Sequence, residues 1–167
     1  MGDIETSATA AIKIKLADTD LLSQYINERD KEPIWDGFIY AYKNRSKKND
    51  DLIGRAPVQV KGQTVKRFSK KNPKYKVSIT NLEKYRNDGG VLYFVVHIDA
   101  DKNKKIYYAA LQPFLINQYL RISVLDIKSD LIKTMGECRD VTEQYCTGRS
   151  AYLRLGQLFM RLFAGLL

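Results

Sequence analysis

The sequence predicts an α/β fold built on a mixed sheet, and three observations carry that reading. Near the N-terminus, apolar residues (Ala8, Ala11, Ile12, Leu16, then Leu21, Leu22, Ile26) recur at three- and four-residue steps, the spacing of a helix. Two stretches rich in aromatic and β-branched residues, Ile34 to Tyr42 and about Ala56 to Val65, flank a polar, turn-rich loop and read as a hairpin. Val91 to Ile98 is a nearly continuous apolar run of strand length, which calls for cover on both faces of its sheet.

Taken in order, Ile4 to Ile26 is expected to be helical. Asp3 or Ser7 can cap its start, and Asp18 or Asp20 can cap a second segment after a break. Asn27 to Pro33 is polar and ends in proline, so it is a connection. The hairpin follows, with Asn44 to Asp51 as its charged tip. Lys66 to Lys76 is a lysine-rich connector containing Pro73. Ser78 is placed to cap a short helix with Ile79, Leu82 and Tyr85 on one face, stopped by Gly89-Gly90. After the Val91 to Ile98 strand, Asp99 to Lys104 turns the chain, Lys105 to Leu111 is a further strand, and Pro113 to Leu120 is a short helix. Beyond Arg121 the pattern weakens. Val124 to Met135 fits a strand or a helix, and Tyr152 to Leu167 reads as an apolar helix. Its Leu153, Leu155, Leu158, Phe159, Leu162, Phe163, Leu166 and Leu167 cover too much of the circumference for a lone surface helix, so association is expected. The chain therefore divides into a domain over 1–122 and a C-terminal extension over 123–167, the latter resembling the start of a further segment.

Composition narrows the functional classes. With 167 residues, 44% hydrophobic and 28% charged, the chain is long enough for one ordinary globular domain. The two cysteines, Cys138 and Cys146, make neither a metal knuckle nor a disulfide framework, and a reduced, cytoplasmic setting is expected. No basic-then-apolar stretch opens the sequence, so secretion is not expected, and with no apolar run of about 18 residues no membrane span is expected. A single histidine, His97, excludes schemes that need several imidazoles; inside an apolar strand it reads as a satisfied core residue. No P-loop or dinucleotide fingerprint is present, and no small-molecule cofactor is expected.

The net charge of +9 is concentrated. Between Ala41 and Arg86 lie 14 Lys or Arg and three acids, a net of +11, and the remainder is slightly acidic. Such a block is either a solvated face or a surface for a polyanion, where neutralised phosphates release counterions. The candidate phosphate-binding residues are Lys43, Arg45, Lys47 and Lys48 before the second strand and Lys66, Arg67, Lys70, Lys71, Lys74 and Lys76 after it. Both groups are expected to focus a positive field on the same region. Tyr75, set among lysines, reads as an ordinary loop tyrosine or as a platform for an exposed base.

Within that window three polar residues interrupt strands that should be packing. Asp36 stands between Trp35 and Gly37 at the head of the first hairpin strand. Gln59 and Lys61 are two apart in Val58-Gln59-Val60-Lys61-Gly62, so they share one face while Val58 and Val60 face the core. If the strands pair, Asp36 approaches Gln59 and Lys61. A carboxylate, an amide oxygen and a lysine are the parts needed for magnesium-assisted phosphodiester hydrolysis: a hard oxygen ligand, a neutral one, and a cation for the developing charge. Gly37 and Gly62 would let a nucleic-acid backbone approach. From spacing alone, a half-exposed hairpin with an ordinary polar face fits equally well.

The string Ile34-Trp35-Asp36-Gly37 followed by Val58-Gln59-Val60-Lys61-Gly62 resembles the PD-(D/E)xK nuclease superfamily, and within it the branch with a D…QxK signature. The resemblance covers about Ile4 to Leu120. It implies a restriction-endonuclease-like mixed central sheet flanked by helices, and an endonuclease of the kind found as effector domains in bacterial anti-phage defence. By that likeness Asp36 is the metal carboxylate, Gln59 the variant second position and Lys61 the catalytic lysine. Glu5, on the first helix, matches the additional glutamate of several members and would share the Mg2+ or Mn2+ site. Gln59 in place of a carboxylate removes one negative charge, which Glu5 or a backbone carbonyl would have to offset. The partner implied is double-stranded DNA, read with little sequence preference, with a homodimer or larger defence assembly as the setting. Two other readings remain open: a catalytically inactive nucleic-acid-binding module of the same fold, and a basic protein-interaction domain.

Overall fold

The computed structural model describes residues 4–27, 34–69 and 75–125. In chain order the elements are α1 (Ile4–Ala17), β1 (Leu22–Ile26), β2 (Gly37–Tyr42), β3 (Leu52–Thr64), α2 (Ile79–Asn87), β4 (Val91–Ile98), β5 (Lys104–Leu111) and α3 (Pro113–Leu125). The strands form one sheet in the order β1-β2-β3-β4-β5. β3 and β4 run parallel, and every other neighbouring pair is antiparallel. The fold is mixed α/β, with helices on both faces of a mixed five-stranded sheet.

The apolar run Val91–Ile98 explains the layering. All eight residues of β4 are buried, so the strand must be covered from both sides. Leu92, Phe94, Val96 and Ile98 face one core, shared with Ala8, Ala11, Ile12 and Leu16 of α1 and with Val58 and Val60 of β3. Val91, Tyr93 and Val95 face a second core with Leu82 and Tyr85 of α2 and Ile116 of α3. Because β3 and β4 are parallel, the chain has to cross from the end of one to the start of the other, and α2 lies within that crossover.

Local signals fix α2. The Ser78 hydroxyl accepts from the Asn81 N–H, capping the helix as expected. At the other end Gly89 and Gly90 take φ of +85° and +112°, and the Gly90 N–H returns to the Tyr85 carbonyl at 2.8 Å.

The N-terminal expectation needs correction. The helix ends at Ala17, and Leu22–Ile26 is a strand, paired Leu22 to Ala41 and Ile26 to Gly37. Leu22 and Ile26 are four apart, which puts them on one face of either a helix or a strand, so their spacing does not discriminate. Hydrogen bonds from Asp18 and Thr19 N–H to Lys15 and Leu16 carbonyls close the helix before that choice arises. At the other end of the described chain α3 continues to Leu125, past the expected stop at Leu120. The expectations for Leu153 to Leu167 and for Cys138 and Cys146 lie outside the described residues. Among the described residues, no helix is long and apolar enough to cross a membrane.

His97 is buried, but it is not a satisfied core histidine. Among the described residues neither ring nitrogen has a hydrogen-bond partner, nor does the hydroxyl of Tyr107, whose ring lies 4.9 Å away edge-on. Burial, then the charge of Lys105, pushes the imidazole below its ordinary value and holds it neutral. The unfolded chain therefore takes up the proton more readily, so stability is complete above the unfolded pKa of about 6.5 and declines as pH falls through it toward the folded value. His97→Phe removes the unsatisfied nitrogens and is expected to stabilise the fold, by a margin that widens below pH ~6.5. Denaturant midpoints of parent and variant across pH 4.5–8 (a range set by the same titration) check this; a margin independent of pH would contradict it.

Candidate active site

Asp36 sits where β2 begins and is held by the backbone on both sides. Its N–H donates to the Val58 carbonyl at 2.8 Å, and its carbonyl accepts from the Asn27 N–H at 2.7 Å. The position depends on Gly37, whose φ is +144°. A Cβ there would meet the Tyr25 carbonyl oxygen at 2.0 Å. Gly62 is confined in the same way, its missing Cβ facing Ile4 of α1 at 2.7 Å. These two glycines admit the protein's own backbone, in place of the nucleic-acid approach the sequence suggested.

Pairing between β2 and β3 stops at Gly37 with Val58, while β3 continues beside β4 to Thr64. Asp36 occupies the notch where β2 leaves. Its Oδ2 accepts two hydrogen bonds, from Gln59 Nε2 at 2.5 Å and from the Val60 N–H at 2.6 Å. Among the described residues Oδ1 accepts none. One carboxylate oxygen is thus committed to the protein and the other is open.

Gln59 is buried, with 5% of its surface exposed, while Lys61 on the same face is half-buried. Its amide is used at both ends: Nε2 donates to Asp36, and Oε1 accepts from the Tyr85 hydroxyl at 3.3 Å. The structure therefore turns a donor toward Asp36, where the sequence suggested a ligand oxygen. Tyr85, expected to be a packing residue, is itself 1% exposed and ends this chain of hydrogen bonds. The available signal was chemical: a tyrosine on the apolar face of a helix needs a partner for its hydroxyl.

Lys61 lies two residues beyond Gln59 on the same face, half-buried, and its side chain makes no hydrogen bond or ion pair among the described residues. It acts on Asp36 through its field. Burial raises the Asp36 pKa above the ordinary carboxylate value; the Val60 N–H and then Lys61 oppose the rise, and Glu5 adds to it. Lys61 and Glu5 thus act on Asp36 electrostatically, and Gln59 is hydrogen-bonded to it. Among the described residues no three His, Cys, Asp or Glu side chains gather into a metal cluster.

The basic strip divides. Lys43, Arg45, Lys47 and Lys48 lie in the β2–β3 loop, at the far end of β2 from Asp36, about 20 Å away at the usual rise per strand residue. Arg45 pairs with Asp20 at 3.0 Å, and Lys47 Nζ donates to the Leu22 carbonyl at 2.7 Å. The expectation that both loops focus on one pocket is thus corrected: loops at the two ends of a strand lie at opposite ends of the sheet. Lys66 and Arg67 are exposed just past β3, on the Lys61 side, and Lys76 is exposed before α2. Lys70, Lys71 and Lys74 lie outside the described residues. Tyr75 is partly buried, packs on Tyr93 at 5.8 Å and belongs to the cover of the second core.

No family model matches the chain, and no curated protein or solved structure matches it either.

Because the folded state raises the Asp36 pKa, the folded chain holds that proton more tightly than the unfolded one. The associated stability is full below the unfolded carboxylate pKa and is lost as pH rises through the folded value. Asp36→Asn keeps an oxygen for Gln59 and Val60 and removes the charge. Its stability relative to the parent is expected to increase as pH rises from about 4, near the ordinary carboxylate pKa, toward neutrality. Paired thermal melts over that range check the sign.

Proposed function

We propose that the chain is a metal-dependent endonuclease with a restriction-endonuclease-like core, acting on duplex DNA with little sequence preference. The observation that carries this reading is the Asp36 carboxylate: half-buried, fixed through Oδ2, and, among the described residues, open at Oδ1 and set beside a lysine whose side chain pairs with none of them. The order helix, three antiparallel strands, crossover helix and parallel strand agrees with the resemblance in the Asp36…Gln59-Val60-Lys61 string.

The residues fit a small divalent cation. Magnesium uses one or two carboxylates and otherwise keeps waters and substrate phosphate, so a crowded acidic cluster is not required. Asp36 would hold it through Oδ1, with Glu5 supplying further negative charge and the Val60 carbonyl, on the same strand edge as the Val60 N–H, a backbone oxygen. A bound cation would polarise the scissile phosphate and favour a nucleophilic water. Gln59 and the Val60 N–H fix the carboxylate's orientation. Lys61 offsets the negative charge that accumulates on the phosphate as it is attacked. Lys66 and Arg67, about 20 Å beyond Val60 at the usual rise per strand residue, would meet the duplex backbone away from the scissile bond.

Incubation with supercoiled plasmid is expected to give nicked and linear products with Mg2+ and none with EDTA. Asp36→Asn and Lys61→Ala should each lower the rate by a factor of about 100 or more, typical for removal of an electrostatic catalytic group, and Asp36→Asn should still retain DNA. Charge reversal of Lys66 and Arg67 should flatten the salt dependence of binding by about 0.9 for each phosphate no longer neutralised, while reversal of Lys43 and Lys48 should leave cleavage unchanged. Salt-sensitive DNA binding without Mg2+-dependent cleavage would favour the inactive binding module. Absence of both would favour a protein-interaction domain.

A further inference from the structure

We infer that Tyr85 is a positioning residue for the proposed site: its hydroxyl fixes the Gln59 amide as a hydrogen-bond donor and so reserves Asp36 Oδ1 for the cation. This rests on the reading of Asp36 as the cation ligand. The geometry is a relay of three side chains from two elements and a strand head, Tyr85 to Gln59 at 3.3 Å and Gln59 to Asp36 at 2.5 Å. Gln59 and Tyr85 are buried, so water does not compete for either end of the amide.

The relay has a direction. A buried glutamine can present either its oxygen or its NH2 group to a neighbour. A hydroxyl donating to Oε1 leaves Nε2 to face the carboxylate, and each bond in such a chain polarises the next. With Nε2 and the Val60 N–H both on Oδ2, rotation of the carboxylate would break two hydrogen bonds. Oδ1 is consequently held in one orientation before any ligand arrives. Pre-organisation of this kind contributes to affinity by removing an ordering cost at binding.

Tyr85 is also placed firmly enough to serve as the anchor. Its ring packs edge-on against Tyr93 at 6.3 Å, and its carbonyl accepts the Gly90 N–H that closes α2. Tyr85→Phe therefore deletes the hydroxyl while leaving the packing of the ring in place.

Two measurements test the inference. In cation-free protein, the Gln59 side-chain NH2 resonances are expected to be slow to exchange and displaced from those of exposed glutamines, and to lose both properties in Tyr85→Phe. In a Mn2+ titration followed by the paramagnetic signal of free Mn2+, Tyr85→Phe should weaken binding roughly three- to tenfold, the scale of one ordinary hydrogen bond. In a Gln59→Leu background the same change should have no further effect, because Tyr85 acts through Gln59. Unaltered Gln59 resonances, or additive losses in the double variant, would overturn the inference. If the parent binds no Mn2+, the cation reading of Asp36 fails and the Gln59 resonances still decide whether Tyr85 positions the amide.

Discussion

A strand with every side chain buried cannot lie at a surface, and β4 imposes that condition on everything around it. Its two faces need two separate covers, which α1 supplies on one side and α2 with α3 on the other. Both edges are paired as well, with parallel β3 and antiparallel β5. The parallel neighbour then obliges the chain to cross over before β4 can start, and the crossing carries α2 onto the face that holds Gln59 and Lys61. Burial of one apolar segment thus determines where the polar group sits and what covers it.

The candidate site inherits its properties from this arrangement. The cover that buries Val95 and Tyr93 also buries Gln59, so an amide that would be weakly bound in water is committed at both ends. Desolvation raises the Asp36 pKa, which means that the ionised carboxylate is held at some cost to stability. A charge maintained in an unfavourable environment gains most from an arriving cation. His97 and Tyr107, at the opposite end of the same sheet face, also bury polar atoms that have no hydrogen-bond partner among the described residues.

Local signals were legible in the sequence, and signals that depend on the path of the chain were not. The Ser78 cap, the Gly89-Gly90 stop and the β4 run each act within a few residues and were readable directly. The grouping of Asp36 with Gln59 was also readable, because the hairpin register follows from two strands and one loop. Leu22 and Ile26 were ambiguous because a four-residue step satisfies both periods, and the pairing with β2 decided between them. The orientation of the Gln59 amide was out of reach, since it depends on a hydroxyl from α2, an element on the far side of the crossover connector. The split of the basic strip, by contrast, was available in principle from strand polarity alone.

The notch beside β3 has a second consequence, for solubility. From Gln59 to Thr64 this strand has β4 on one side and, among the described residues, no strand on the other. A bare edge of that length is a template onto which another chain can add a strand. Here the Val60 N–H is capped by Asp36, and Gly62 lies under the start of α1, against the Ile4 carbonyl. Asp36, the cation ligand of the proposed reading, therefore also covers one of the donors on this edge. Substitutions that remove its oxygens would uncover a sticky edge along with any loss of activity, and insolubility and inactivity at this position would share one cause.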